Sequence, residues 1–483
     1  MGLDPGLRRL ALGTLLAAYP GPVPPDWAVD LLADGLAGHT LFGTNIHDPA
    51  QVAATTAALR AGRPDVLIAI DEEGGDVTRL AHATGSPYPG NAALGAVDDV
   101  TLTRQVYAAI GAELAALGIN LDLAPTVDVN TADENPVIGT RSFGADPARV
   151  AAHSAAAVSG LQSAGVAACA KHFPGHGATV ADSHYELPTV DVPPAVLRER
   201  DLPPFAAVVD AGVRAVMTAH IRVPALTGDG PATFSRAVLV DLLRREYGFT
   251  GAVITDALEM KGAALAAGGV GPAAVRALAA GADLLCIGAK VDADLVAHVV
   301  EEIGAALADG RLDRARVEEA AGRAAELAAW TAAGGTAAGT PDGLGYAAAL
   351  RAVRVEGDVA GLTAPLVVQV HATSTIAEGR VPWGLGPHLV GVEEVRAVAG
   401  ETDPEELRRL AGERPIVLVG RHLHRLPGAR ELVDALAATH PVTVVEMGWP
   451  GGWRPTGARA FVTTYGASHA NGRAAAQVLG LAG

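Results

Sequence analysis

Val166-Ala167-Ala168-Cys169-Ala170-Lys171-His172-Phe173-Pro174-Gly175-His176-Gly177 is the stretch on which the reading of this chain turns. Its first five residues are small or β-branched and apolar, the pattern of a buried strand. Pro174, Gly175 and Gly177 can neither prolong a strand nor open an ordinary helix, so a loop follows. The strand then ends at Lys171 and His172, and the loop continues through Asp182-Ser183-His184. One Lys, three His and one Asp within residues 171–184 place titratable groups on a strand-terminal loop, where chemistry gathers.

The same unit recurs on both sides of this stretch. Strands are expected at residues 10–17, 40–45, 66–70, 119–124, 166–170, 215–218, 252–255 and 283–287. Helix-compatible segments lie between them, at 27–36, 50–61, 102–117, 150–164, 202–211 and 237–247. Eight strand–helix alternations predict an α/β fold, a (β/α)8 TIM-type barrel, with a doubly wound sheet as the alternative. The barrel is favoured because polar residues follow so many strands: Thr44-Asn45, Asp71-Glu72-Glu73, Asp128 and Asn130, Lys171-His172, His220 and Asp256. In a barrel those strand ends open onto one face.

Helical stretches 291–309 and 312–333 follow the last strand, and the Gly/Thr/Ala-rich run 334–343 reads as a linker. Beyond it, strand-like runs at 365–370, 415–419, 442–445 and 460–463 alternate with helical stretches 404–412, 428–438 and 470–480. The expected division is a catalytic barrel over 1–333, a linker over 334–350 and a smaller parallel α/β sandwich over 351–483.

With 483 residues the chain exceeds one ordinary core, and a hydrophobic content of 49% is globular. The net charge of −17 argues against nucleic acid or an anionic membrane as partner. Cys169 and Cys286 lie in apolar runs and read as buried thiols rather than a disulfide. No apolar run reaches the roughly 18 residues that a membrane helix needs. Arg8-Arg9 and the apolar run behind them imitate a secretion signal, but the barrel needs that run as its first strand. A cytoplasmic location is the corresponding expectation.

Three constellations carry chemistry. Asp256 directly follows the buried run 253–255, so its carboxylate should stand at the barrel mouth. It suits nucleophilic attack on an anomeric carbon, although an Asp there can also cap the next helix. Asp182 and His184 are two residues apart and point the same way in an extended segment. An Asp held against one ring nitrogen fixes the tautomer and leaves the other nitrogen to give and take a proton. Asp71-Glu72-Glu73-Gly74-Gly75 can ligate a metal or accept hydrogen bonds from sugar hydroxyls. Arg79 and Arg141 can each fork onto a carboxylate or a ligand.

Together these residues resemble glycoside hydrolase family 3, in its bacterial β-N-acetylglucosaminidase (β-N-acetylhexosaminidase) branch. The resemblance rests on Asp71-Glu72-Glu73-Gly74-Gly75 with Arg79, Pro125-Thr126-Val127-Asp128-Val129 and Gly139-Thr140-Arg141-Ser142-Phe143. It continues through Lys171-His172-Phe173-Pro174-Gly175-His176-Gly177 with Asp182-Ser183-His184, Met217-Thr218-Ala219-His220 and Thr255-Asp256-Ala257-Leu258. It implies a retaining mechanism with Asp256 as nucleophile, His184 as acid/base and Asp182 as its partner. It implies that Asp71, Arg79, Arg141, Lys171 and His172 bind the sugar. Asp76 stands where this branch often has a basic residue, and Thr140 replaces a common acidic neighbour of Arg141. The implied partner is a small N-acetylglucosaminide whose aglycone is a muropeptide, chitobiose or a metabolite glycoside; no metal and no cofactor is implied.

The related β-glucosidases draw their acid/base from a Glu of the C-terminal domain, and the Asp-Ser-His signature points away from them. A phosphorylase using the same residues is the nearest variant, because a histidine acid/base repels an anionic acceptor less than a carboxylate does. Two more distant readings are a metal-dependent barrel hydrolase using His172, His176, His184 and His220, and a sugar-binding protein without turnover.

Overall fold

The computed structural model describes residues 3–288, 291–336, 339 and 341–482. It contains an eight-stranded parallel barrel and a separate six-stranded mixed sheet. The barrel strands are β1 (Leu15–Ala17), β2 (Gly38–Leu41), β3 (Leu67–Ile70), β4 (Leu121–Asp122), β5 (Ala167–Phe173), β6 (Ala215–Thr218), β7 (Ala252–Thr255) and β8 (Leu285–Ile287). They pair in the order β7-β6-β5-β4-β3-β2-β1-β8. A parallel bridge between Ile254 and Leu284 joins the two ends. The interior is filled by alternate residues of seven of the strands, among them Leu16, Leu67, Ala69, Leu121, Ala167, Cys169, Ala215, Met217, Ile254 and Cys286. Both cysteines are free and buried, and burial pushes their thiols up.

Several strands begin or end away from the sequence expectation, for local reasons. Residues 10–12 belong to the helix Pro5–Leu12, because Asp4 caps its first amides and Pro5 occupies its first turn. Only residues 15–17 of the expected first strand are extended. β2 stops at Leu41 because Asn45 folds the chain back: its Oδ1 accepts the Phe42 N–H, and its Nδ2 donates to Tyr19 O. Asp48, Asp146, Asp292 and Asp313 cap the helices Pro49–Gly62, Pro147–Ser163, Ala293–Ala308 and Arg314–Ala332 by accepting first-turn amides. Residues 237–246, expected as a helix, wind as a π-helix.

The mixed sheet runs β11-β10-β12-β13-β14-β9, from β9 (Arg354–Gly357), β10 (Leu366–Val370), β11 (Glu393–Ala397), β12 (Ile416–Gly420), β13 (Val442–Glu446) and β14 (Ala460–Thr463). Five strands are parallel, and β9 is antiparallel at one edge. Apolar side chains leave both faces. Val368, Leu418 and Val444 meet the helices Pro404–Ala411 and Ala429–Ala437, while Val367, Val417 and Val445 meet Ala475 and Leu479.

The chain does not divide at one point. One compact unit comprises Met1–Glu72, Thr103–Val137 and Ala145–Thr340; the other comprises Glu73–Leu102, Ile138–Gly144 and Pro341–Gly483. Two excursions, after β3 and after β4, therefore belong with the mixed sheet. Residues 344–350, expected as linker, are instead the start of the helix Leu344–Ala352, which packs on the helix Asn91–Val97 of the first excursion. Ala337, Ala338 and Thr340 of the expected linker lie outside the described residues. No single helix among the described residues is long and apolar enough to cross a membrane.

Candidate active site

In the barrel unit the site is built on β5. The strand runs on to Phe173, so Lys171 and His172 are its last residues but one rather than the start of a loop. Its register with β6 slips between Ala170 and Phe173, a bulge of the kind that re-aims side chains at barrel rims. Lys171 is buried and donates from Nζ to Asp71 Oδ1 at 2.6 Å. A buried ammonium needs such a partner. His172 pairs through Nδ1 with Asp128 Oδ2 at 2.8 Å. Asp128, fully buried, also accepts the His176 N–H at 2.6 Å. Burial pushes the Asp128 carboxyl up, but His172 and His176 outweigh it and hold the group below the usual carboxylate range.

His176 braces the loop rather than facing outward. Its Nδ1 meets Thr179 Oγ1 at 2.7 Å and its Nε2 meets Ser183 Oγ at 3.2 Å. Next to Ser183, the His184 backbone N–H and Nδ1 both bond Asp182 Oδ1, at 2.9 and 2.6 Å. The carboxylate can only accept there, so Nδ1 carries the hydrogen and Nε2 is left for other work. Asp182 is held low because the His184 hydrogen bonds and charge outweigh its burial. The loop is tied down across the barrel mouth: Ser183 O accepts the Gly262 N–H at 3.2 Å.

Gly262 lies just beyond Asp256 in sequence. Asp256 follows β7 directly, and its Oδ1 accepts the Ala257 N–H at 2.8 Å. It does not cap the following helix, Lys261–Ala267, which starts five residues on. Burial raises the Asp256 carboxyl, yet His220, His172 and His184 together hold it below the usual range. Burial lowers His220, and the charge of Asp256 opposes that shift; the ring pairs with Thr233 Oγ1 at 2.8 Å and with Ala257 O at 3.0 Å, fixing the turn after Asp256. The ring nitrogens of His176 and His220 are thus engaged by protein groups, and no set of three His, Cys, Asp or Glu side chains converges as a metal site among the described residues.

Two further carboxyls were not singled out from sequence. Asp122, at the end of β4, is raised far above its ordinary value by burial. Glu259 is also raised by burial, and it accepts the Gly288 N–H at 3.0 Å. The barrel unit therefore sorts its acids: Asp128, Asp182 and Asp256 are held ionised, while Asp122 and Glu259 are driven towards the neutral form. Environments that separate acids in this way mark sites where one group must attack while others stay uncharged.

Arg79 and Arg141 belong to the second unit. Arg141 donates from Nε and Nη2 to the two oxygens of Glu73, at 3.0 and 2.7 Å, a buried bidentate pair. Arg79 donates from Nη2 to Ala377 O at 2.9 Å. Asp76 and Thr140, the two departures from the expected motif, meet each other: Thr140 Oγ1 donates to Asp76 Oδ2 at 2.7 Å.

Residues 25–327 match the model of the glycosyl hydrolase family 3 N-terminal domain, more than half of the chain. The chain belongs to glycosyl hydrolase family 3. A beta-hexosaminidase from Chromobacterium violaceum is 41% identical to this family 3 chain over 257 residues, covering 52% of it and 71% of the relative. Beta-hexosaminidase A from Pseudoalteromonas piscicida is 39% identical over 262 residues, and there the match spans 44% of the longer protein. Among solved structures, a family 3 β-N-acetylglucosaminidase from Paenibacillus sp. str. FPU-7 superposes with a TM-score of 0.88 at 33% identity, covering 99% of this chain and 97% of that one. The architecture of barrel plus α/β sandwich is the one expected of the family.

Proposed function

We propose that this family 3 glycoside hydrolase is a retaining exo-β-N-acetylglucosaminidase. Asp256 attacks the anomeric carbon while the Nε2–H of His184 passes its proton to the departing glycosidic oxygen. The C–O bond to the aglycone breaks and a glycosyl ester forms on Asp256. Neutral His184 then takes a proton from water, the water oxygen bonds to the anomeric carbon, and Asp256 leaves as carboxylate. Asp182 orients the imidazole and stabilises its charged form. Asp71, Lys171 and His172 are assigned to the sugar, as are Arg79 and Arg141 on the strength of the resemblance.

One arrangement carries the reading: the loop that holds the Asp182–His184 pair is bonded through Ser183 O to the Gly262 N–H at 3.2 Å, on the segment that begins with Asp256 after β7, and the charge of His184 helps hold that carboxylate below its usual range. A nucleophile and an acid/base that feel each other's charge are what a two-step displacement needs. The names of the similar proteins support the N-acetyl sugar. The test is a panel of 4-nitrophenyl β-N-acetylglucosaminide, β-N-acetylgalactosaminide and β-glucoside, with and without phosphate. Turnover of the N-acetyl substrates to free sugar is expected. A sugar 1-phosphate as main product would replace hydrolysis by phosphorolysis, and preference for the glucoside would overturn the substrate.

A further inference from the structure

The second unit contains a buried charge cluster that the mechanism does not use. Arg421 directly follows β12, and its side chain is only 6% exposed. Its Nη2 donates to Glu378 Oε1 at 2.6 Å and to Asp76 Oδ2 at 3.2 Å. Asp76 is in turn a junction. Its Oδ2 also accepts the Thr140 hydroxyl at 2.7 Å, and its Oδ1 accepts the Ala467 N–H at 2.7 Å, just past β14. Glu378 closes its own turn by accepting the Thr375 N–H at 3.1 Å.

Each carboxylate is linked through its own loop to one of the two arginines assigned to the sugar. Thr140 is the chain neighbour of Arg141, and Asp76 lies three residues from Glu73, which clamps the Arg141 fork. The turn that ends at Glu378 supplies the carbonyl of Ala377 to Arg79 Nη2 at 2.9 Å. We infer that Arg421 is a positioning residue: one buried guanidinium, bridging Asp76 and Glu378, sets the placement of both Arg79 and Arg141. This rests on the reading of those two arginines as sugar-binding.

The physical case is the asymmetry of buried charge. Two buried carboxylates and one guanidinium are tolerable only together, and losing the cation leaves two acids that must move, bind water or take up protons. Any of these shifts residues 76 and 378, and with them the loops that hold Arg141 and Arg79. Lysine keeps the charge but lacks the planar fork. Groups that hold the sugar act on ground and transition states alike, so their displacement weakens binding more than turnover.

The experiment compares wild type, Arg421→Lys and Arg421→Met, reading kcat on 4-nitrophenyl β-N-acetylglucosaminide and the inhibition constant of N-acetylglucosamine. The inhibition constant should rise roughly tenfold in Arg421→Met and about threefold in Arg421→Lys, with kcat within about twofold of wild type. Arg421→Lys keeps the buried charge and decides the matter should the Met variant not fold. Wild-type inhibition constants in the folded variants overturn the inference while leaving the function intact. A wild type that neither cleaves the glycoside nor binds N-acetylglucosamine overturns the functional reading, and this inference with it.

Discussion

A single oxygen of Asp182 accepts both the backbone N–H and the ring Nδ1–H of His184, at 2.9 and 2.6 Å. The backbone bond holds the carboxylate in place whatever the ring does, and the ring bond fixes the tautomer. Replacing Asp182→Asn keeps an acceptor of the same shape and removes the charge. The imidazolium form of His184 then loses its stabilising partner, and kcat on 4-nitrophenyl β-N-acetylglucosaminide should fall by roughly a hundredfold or more.

Removing the imidazole should have an effect that depends on the leaving group. In His184→Ala, chitobiose cleavage needs a proton on a basic oxygen and should drop by about 10²–10⁴-fold. Aryl glycosides with good leaving groups should lose much less in the first step. Equal losses across a series of phenols of graded acidity would contradict the acid role.

Asp256→Ala should abolish turnover, by roughly 10⁴-fold or more, while leaving the thermal midpoint close to that of wild type. The residue caps no helix and its carboxylate accepts the next amide, while its backbone bond to Thr218 O is kept in the variant, so little of the fold depends on the side chain. A variant that retains activity would remove Asp256 from the mechanism.

Glu446, at the end of β13, predicts a pH dependence of stability. It accepts the amides of His422, Leu423 and Gly448, but burial dominates and pushes it up to about 7. The folded value lies above the ordinary 4.5. The folded chain therefore binds more protons than the unfolded chain between those values, and stability is full below the lower one and lost as pH rises through the upper one. The slope of unfolding free energy against pH over that window should flatten in Glu446→Gln. An unchanged slope would show that Glu446 does not titrate there.

Asp283 gives a prediction about stability alone. It is fully buried, pairs with Arg244 and with Arg316 and Arg323 at 2.5 and 3.3 Å, and accepts the Val253 N–H. Asp283→Ala leaves three guanidiniums with no common anion and should cost about 3–5 kcal/mol, read from denaturant midpoints. The folded fraction should keep wild-type kcat and KM.

The barrel was legible because most of its strands lie in apolar runs; β6 and β7 fall where the sequence places them, as does β14 in the mixed sheet. β9 and β11 carry no such run: residues 354–357 are all exposed, and β11 reads Glu-Glu-Val-Arg-Ala. An edge strand with one face in water leaves little trace in hydropathy. The strand-end positions of Lys171, His172 and Asp256 could be read from their neighbours. Their partners could not, since Asp71 lies 100 residues from Lys171, and Asp76 lies 345 from Arg421. Sequence distance hides a pairing that only the folded chain creates. The motif departures at Asp76 and Thr140 looked unrelated, yet they are one hydrogen bond.

The two excursions after β3 and β4 have a bearing on how this chain can be inherited and dissected. Because Glu73–Leu102 and Ile138–Gly144 are threaded into the unit that ends the polypeptide, no single cut releases either part whole. Trimming the gene at its glycine-rich stretch would strand two peptide arms without the sheet they grew up beside, and a transplant of the C-terminal portion would arrive missing both.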